Sequence, residues 1–216
     1  MTIMVHMTQR PFDEGEIAIE NAYALLRSWT QGLFRFDDHV QSLKYVIAPN
    51  GQLIAPVMVA ALHTSDTALY IPDDESPALQ LLVGLESIED RGETGALADR
   101  WRIHHGEEED INWVTMEIDM ARFSGLVIDG EALVRTNLFA EAEAQLCRSI
   151  NELGDDAIRR ICRSRLDLDV EQPCAVAIDP LGLDIRARFD ILRVPFGTPI
   201  EDPDRAMHIV RGWASS

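Results

Sequence analysis

The segment LKYVIAPNGQLIAPVMVAAL, Leu43 to Leu62, decides how the fold is read. Leu43 to Ala48 is a short apolar, strand-like run, Pro49-Asn50-Gly51 is a strong turn signal, and Gln52 to Leu62 returns as a second run. Two such runs about a turn predict an antiparallel hairpin. The same grammar continues downstream. Ser65-Asp66 turns into a strand over Ala68 to Ile71. Leu79 to Ser87 alternates, with Leu79, Leu81, Val83 and Leu85 on one face. Its continuous apolar character is also compatible with a helix. Asn112 to Val127 has strand periodicity, broken near Gly125 and turned at Asp129-Gly130. Closely spaced strands and turns of this kind predict an antiparallel barrel or sandwich.

Helices frame that region. Residues 1–15 read as a loose leader. Glu16 to Gln31 reads as a helix with an apolar stripe of Ile17, Ala18, Tyr23, Ala24, Leu25 and Leu26, closed by Gly32 at its C-terminus. Thr94 to His105 is a second, short helix with Leu97, Trp101 and one of His104 or His105 on one side. Asn137 is an N-cap candidate for a helix over Glu141 to Glu152. The composition shifts near Gly154, after which a helix over Asp155 to Leu166 precedes three strands, Ala175 to Ile178, Leu183 to Phe189 and Ile191 to Pro195. Asp202-Pro203 opens a last helix whose inner face is Ala206, Ile209, Val210 and Trp213. The expectation is an α+β chain: a barrel-like domain over residues 1–150 and a small α/β domain over 151–216.

At 216 residues the chain can bury roughly 70% of the surface its unfolded form exposes, and it needs no staples. Its charge is the unusual feature. Thirty-seven acidic residues face 19 basic ones, for a net charge of −18. Affinity for nucleic acid rests on Lys and Arg displacing counterions, so a nucleic-acid role is excluded, and anionic membrane surfaces are disfavoured by the same charge. Cys147, Cys162 and Cys174 are odd in number and far apart, with no C-x-x-C pair, which predicts free thiols in a reducing compartment. No signal-peptide pattern opens the chain, and no apolar run reaches the roughly 20 residues of a membrane span. The protein is therefore expected to be cytoplasmic. G-x-G-x-x-G, Walker and G-x-S-x-G motifs are all absent.

The densest polar cluster runs from His104 to Asp110. Adjacent histidines on a helix point about 100° apart, so this run reads as a solvated acidic loop rather than a metal site. His39 and His63 flank the strands around the hairpin, and Asp73-Asp74-Glu75 forms an acidic knot after a strand.

A family resemblance enters at the C-terminus. In AVAIDPLGLDIRARFDILRVPFGTPIEDPDRA, Ala175 to Ala206, the residues Asp179, Gly182, Asp184, Arg193, Pro195, Phe196, Asp202 and Ala206 are similar to the pattern of the small terminal domain of haem-utilisation (HugZ-like) split-barrel proteins. Upstream, Asn151 and Asp156-Ala157 resemble that domain's helix opening, with Gly154 where the family usually has His. The preceding part resembles the FMN-binding split barrel of pyridoxamine 5′-phosphate oxidase relatives, through the order of its elements and A-x-x-x-G at Ala121 to Gly125.

The resemblance implies an antiparallel split β-barrel with flanking helices and a cofactor, FMN or haem, used for redox chemistry or haem degradation. It points to Lys44 and Ser76 for a flavin phosphate, and to His63 and His208 as candidate haem ligands. Relatives place hydroxyl and basic residues between Tyr70 and Leu79, where this chain has Asp73-Asp74-Glu75-Ser76. Three carboxylates there repel a phosphate. The resemblance thus leaves an alternative: a cofactor-free dimeric binding module acting through a protein partner, as in the glutamyl-tRNA reductase-binding protein of similar layout. A homodimer is expected on either reading, with residues 52–62 and 113–127 at the contact.

Overall fold

The computed structural model describes residues 14–75, 78–109 and 111–215. Residues 1–13 of the expected leader and the candidate Ser76 lie outside the described residues. Helix α1 (Glu14–Ser28) leads into an eight-stranded antiparallel sheet. Its strands are β1 (Gln31–Phe36), β2 (His39–Lys44), β3 (Val46–Ile47), β4 (Leu53–Val57), β5 (Thr67–Ile71), β6 (Leu79–Ser87), β7 (Asn112–Phe123) and β8 (Leu126–Asp129). Helix α2 (Gly95–His105) lies between β6 and β7. The strands run in the order β2-β1-β5-β6-β7-β4-β3, with β8 paired to β7.

The two ends of that order are one segment. β2 pairs with β1 and β3 pairs with β4, and only Tyr45 separates β2 from β3. The sheet therefore curls until its last strand leads back to its first, and it is split where Tyr45 leaves both ladders. Tyr45 is held by its N–H to Thr30 O at 2.8 Å and by its hydroxyl, which donates to Leu26 O at 3.2 Å. Burial pushes the phenol well above its ordinary pKa, which keeps it a neutral donor.

Strand alternation fills the barrel. Phe34 and Phe36 of β1, Leu69 and Ile71 of β5, and Leu79, Leu81 and Val83 of β6 all point inward, and Ala22 and Leu26 of α1 pack into the same core. The Pro49-Asn50-Gly51 turn is as predicted. Gly51 sits at φ +92°, and a Cβ there would lie 2.6 Å from Arg135 N, so only glycine fits without strain.

The second unit contains α3 (Glu143–Asn151), α4 (Asp155–Leu166), a three-stranded antiparallel sheet of β9 (Cys174–Asp179), β10 (Gly182–Arg186) and β11 (Ile191–Pro195), and α5 (Pro203–Ser215). Its core gathers Phe139, Ile150, Ile161, Ile178, Leu183, Ile185, Val194 and Val210, so α3 packs with the C-terminal elements. The chain is thus an α+β protein: an antiparallel split barrel followed by a small α/β unit. Among the described residues, no helix is long and apolar enough to cross a membrane.

Four elements differ from the sequence reading. Gly32 is not a helix terminus but an inward position of β1, where a Cβ would meet Tyr70 O at 2.5 Å. The run Leu43 to Ala48 is divided at Tyr45, because closure requires one half to pair on each side. The run Gln52 to Leu62 ends as a strand at Val57 and becomes a 3-10 turn, Val59–His63. Pro56 is tolerated in β4 because β3 pairs only with Leu53 and Ile54, leaving Pro56 paired on the β7 side alone. The second C-terminal strand reading overran by three residues: β10 stops at Arg186, and Phe189 is exposed in the turn that follows.

Candidate functional site

The two units meet across buried charge. Arg27, in the last turn of α1, donates through Nε to Asp179 Oδ2 at 2.9 Å, and its Nη2 contacts the same oxygen. Arg193 of β11 donates through Nη2 to both oxygens of Asp179, at 2.6 and 2.8 Å, and through Nη1 to Asp184 Oδ1 at 2.8 Å. Asp179 Oδ1 also accepts from Leu181 N at 2.7 Å. Burial alone would raise the Asp179 pKa, but Arg27 and Arg193 outweigh it and hold the carboxyl below its ordinary range. Asp184 goes the other way. Burial and nearby Asp179 push its carboxyl up despite Arg193. A second tie joins α2 to α3, where Arg100 makes a bidentate pair with Glu143 at 2.8 and 2.9 Å.

Beside this cluster lies a cleft of about 510 Å³ between the barrel and the second unit. Arg27, Asp184 and Arg193 form its base, and Trp29, Pro72, Leu166, Leu168, Leu192 and Pro195 supply apolar walls. A void of about 10 Å³ directly behind it shares Arg27, Trp29, Thr30 and Asp184 and reaches His104. His104 is only 3% exposed, and burial followed by the Arg100 charge lowers its pKa to about 3. The sequence left open which of His104 and His105 lies on the inner side of this helix; His104 is the buried one, with Nδ1 2.8 Å from Arg100 O.

The region expected to meet a flavin phosphate is a separate cleft of about 340 Å³ lined by Tyr70, Asp74, Glu75, Gln80, Arg122 and Phe123, among others. Arg122 is a cation that the sequence reading did not place there. It arrives because β7 pairs with β6 in a register that sets Arg122 opposite Gln80, itself opposite Tyr70. Lys44 does not line this cleft. It is exposed at the end of β2, opposite Gln31, with β1 standing between it and β5. One exposed guanidinium against Asp74 and Glu75 leaves the cleft net negative, which does not fit a phosphate dianion.

The haem candidates are not brought together. His63 ends the 3-10 turn of the barrel and His208 lies on the outer face of α5; both are exposed, and neither lines the clefts described above. The interdomain cleft has no His, Cys, Met or Tyr in its lining, so it does not fit an axially ligated haem. Among the described residues, no group of three His, Cys, Asp or Glu is arranged to hold a metal ion.

No family model matches the chain, and no curated protein does. Among solved structures, a protein of unknown function from Agrobacterium tumefaciens is similar over 96% of this chain and 99% of its own, with a TM-score of 0.68 and 16% identity. That likeness is one of fold. A heme binding protein from Mycobacterium smegmatis matches over 95% of this chain and 97% of its own, at a TM-score of 0.46 and 18% identity. A candidate pyridoxamine 5′-phosphate oxidase from Listeria innocua matches over 50% of this chain and 98% of its own, at 0.37 and 14%.

Sequence reasoning singled out Asp179, Asp184 and Arg193 as pattern residues without seeing that they bind one another. A signal was present: Asp184 sits between Leu183 and Ile185 in a strand buried on both faces, where a lone carboxylate requires a cation. Arg27 had no such signal, being 152 residues from its partner.

Proposed function

We propose that this chain is a cofactor-free, homodimeric binding protein that works by engaging a partner protein. The carrying observation is the barrel cleft in which Asp74 and Glu75 face the single guanidinium of Arg122. A carboxylate about 6 Å from a phosphate costs roughly 2 to 3 kcal/mol at an effective dielectric near 20. The Arg122 guanidinium offsets one of the two carboxylates and leaves the other unopposed. Free FMN is accordingly expected to bind no better than high micromolar, and the purified protein to be colourless in the flavin and Soret regions. Titration with FMN followed by flavin fluorescence tests this; submicromolar binding overturns it.

For the dimer, the expected contact narrows. The residues of β4 are already buried within the chain, which leaves Met58 and Val59 from the first stretch and Leu126 and Val127 from the second as exposed apolar groups. Light scattering at micromolar concentration checks the stoichiometry. The net charge of −18 favours a basic partner surface.

A second reading, binding of a flavin ring system, is favoured by the size and apolar walls of the interdomain cleft. Under that reading the purified protein carries a flavin band.

A further inference from the structure

We infer that the cleft between the barrel and the C-terminal unit binds an uncharged or cationic planar heteroaromatic molecule, stacked against Trp29 and hydrogen-bonded along one edge to Asp184. This site is independent of the barrel cleft on which the cofactor-free reading rests.

The cavity, about 510 Å³, is within the usual range for small-molecule sites, which pair apolar walls with a few convergent polar groups. Two of its walls are apolar side chains that the described residues leave partly open: Trp29 is 44% exposed and Leu168 is 43% exposed. An indole face at the rim of a cleft offers a stacking surface for a flat ring.

The polar base selects the ligand's edge and charge. Arg27 is spent on Asp179, and Arg193 on Asp179 and Asp184. Asp184 uses only one oxygen in that network. Its side chain is 9% exposed, and among the described residues its second oxygen has no hydrogen-bond partner. Asp184 lines both the cleft and the void behind it. As a carboxylate paired with Arg193 through its other oxygen, Asp184 can accept from a ring N–H or exocyclic amino group on the ligand's edge.

Charge excludes an anion. The guanidinium groups of Arg27 and Arg193 are balanced by Asp179 and Asp184, and Asp190, which has no ion-pair partner among the described residues, adds a further carboxylate to the cleft lining. A phosphate or carboxylate ligand would enter a net-negative cleft.

The test uses the full chain with two uncharged planar probes, lumichrome and hypoxanthine, and anilinonaphthalene sulfonate as an anionic apolar control. At least one uncharged probe should bind in the roughly micromolar range and quench tryptophan fluorescence. Trp29→Ala, at a half-exposed position, should weaken that binding about tenfold and remove the quench, and Leu168→Asp should weaken it by a similar factor. Asp184→Asn should weaken the probe that pairs along its edge; should that variant fail to fold, the other two still decide the matter. Failure of both uncharged probes to bind at millimolar concentration overturns the inference. So does binding unchanged by Trp29→Ala and Leu168→Asp, or displacement of the probe by the sulfonate at equal concentration. A colourless protein that ignores FMN and also ignores these probes removes this site while leaving the cofactor-free reading intact.

Discussion

The barrel interior and the seam between the two units are both out of solvent, yet they are made of opposite materials. Inside the barrel, Phe34, Leu69, Leu79 and Leu81 have no exposed surface and pack in a cluster of hydrophobic side chains that also holds Tyr45. At the seam, Arg27, Asp179, Asp184 and Arg193 form a chain of charge-assisted hydrogen bonds, with Arg100 and Glu143 as a second tie. Apolar burial is non-directional and scales with area, so it stabilises the barrel without dictating how a neighbouring unit must sit. A carboxylate shared by two guanidinium groups accepts few geometries. Asp179 also takes Leu181 N, so the turn between β9 and β10 is locked to α1 in one orientation. The lesson is a division of labour: the core supplies stability, and the seam supplies register, which in turn shapes the interdomain cleft.

Breaking the seam from one side should have the largest effect. Arg193→Met leaves Asp179 and Asp184 buried with Arg27 as the remaining cation, at an expected loss of about 3 to 5 kcal/mol in urea unfolding. A loss under about 1 kcal/mol would mean the cluster is too well hydrated to count as buried. Next comes the barrel. Leu81→Ala should cost about 3 kcal/mol, and unlike the seam variant it should leave the orientation of the two units, read by small-angle scattering, unchanged.

Acid sharpens the comparison because the titrating histidines lie beside the seam. His104 is neutral in the fold down to about pH 3, and burial likewise lowers His105 to about 4 despite its hydrogen bond with Tyr45 O. The unfolded chain takes up those protons near pH 6.5, so it binds more protons than the fold, and stability rises with pH in this window. Stability should therefore fall as pH drops from about 6.5 toward 4, by about 1.4 kcal/mol per unit from His104 alone. His104→Leu should flatten that slope by about one proton. The raised Asp184 pKa has the opposite sign, since it favours the fold at low pH, and it weakens the decline at the acid end. The smallest effect belongs to the exposed histidines: His63→Ala and His208→Ala should each stay within about 0.5 kcal/mol of the parent.

The legible elements were those whose burial pattern is written in neighbouring residues. Leu79–Ser87, Asp155–Leu166 and Ile191–Pro195 are read from sequence with their bounds intact, because alternation or a 3.6-residue stripe reports directly which side meets the core. The β1–β2 hairpin was missed. QGLFRF is too short to stand out after a helix, Gly32 imitates a helix terminus, and the turn depends on Asp37 at φ +47° rather than on a glycine.

From the residues alone came the α+β order of elements, the acidic surface, the hairpin at Pro49-Asn50-Gly51 and the absence of phosphate-loop and nucleophile motifs. Tertiary structure alone decided the closure of the sheet through Tyr45, the meeting of Arg27 with Asp179, the arrival of Arg122 beside Asp74 and Glu75, and the interdomain cleft. The physical reason lies in range. Solvent and core act on each residue through its immediate neighbours, so periodicity records them locally. A buried charge chooses its partner by proximity in the folded chain, and nothing in the spacing of Arg27 announces a carboxylate 152 residues away.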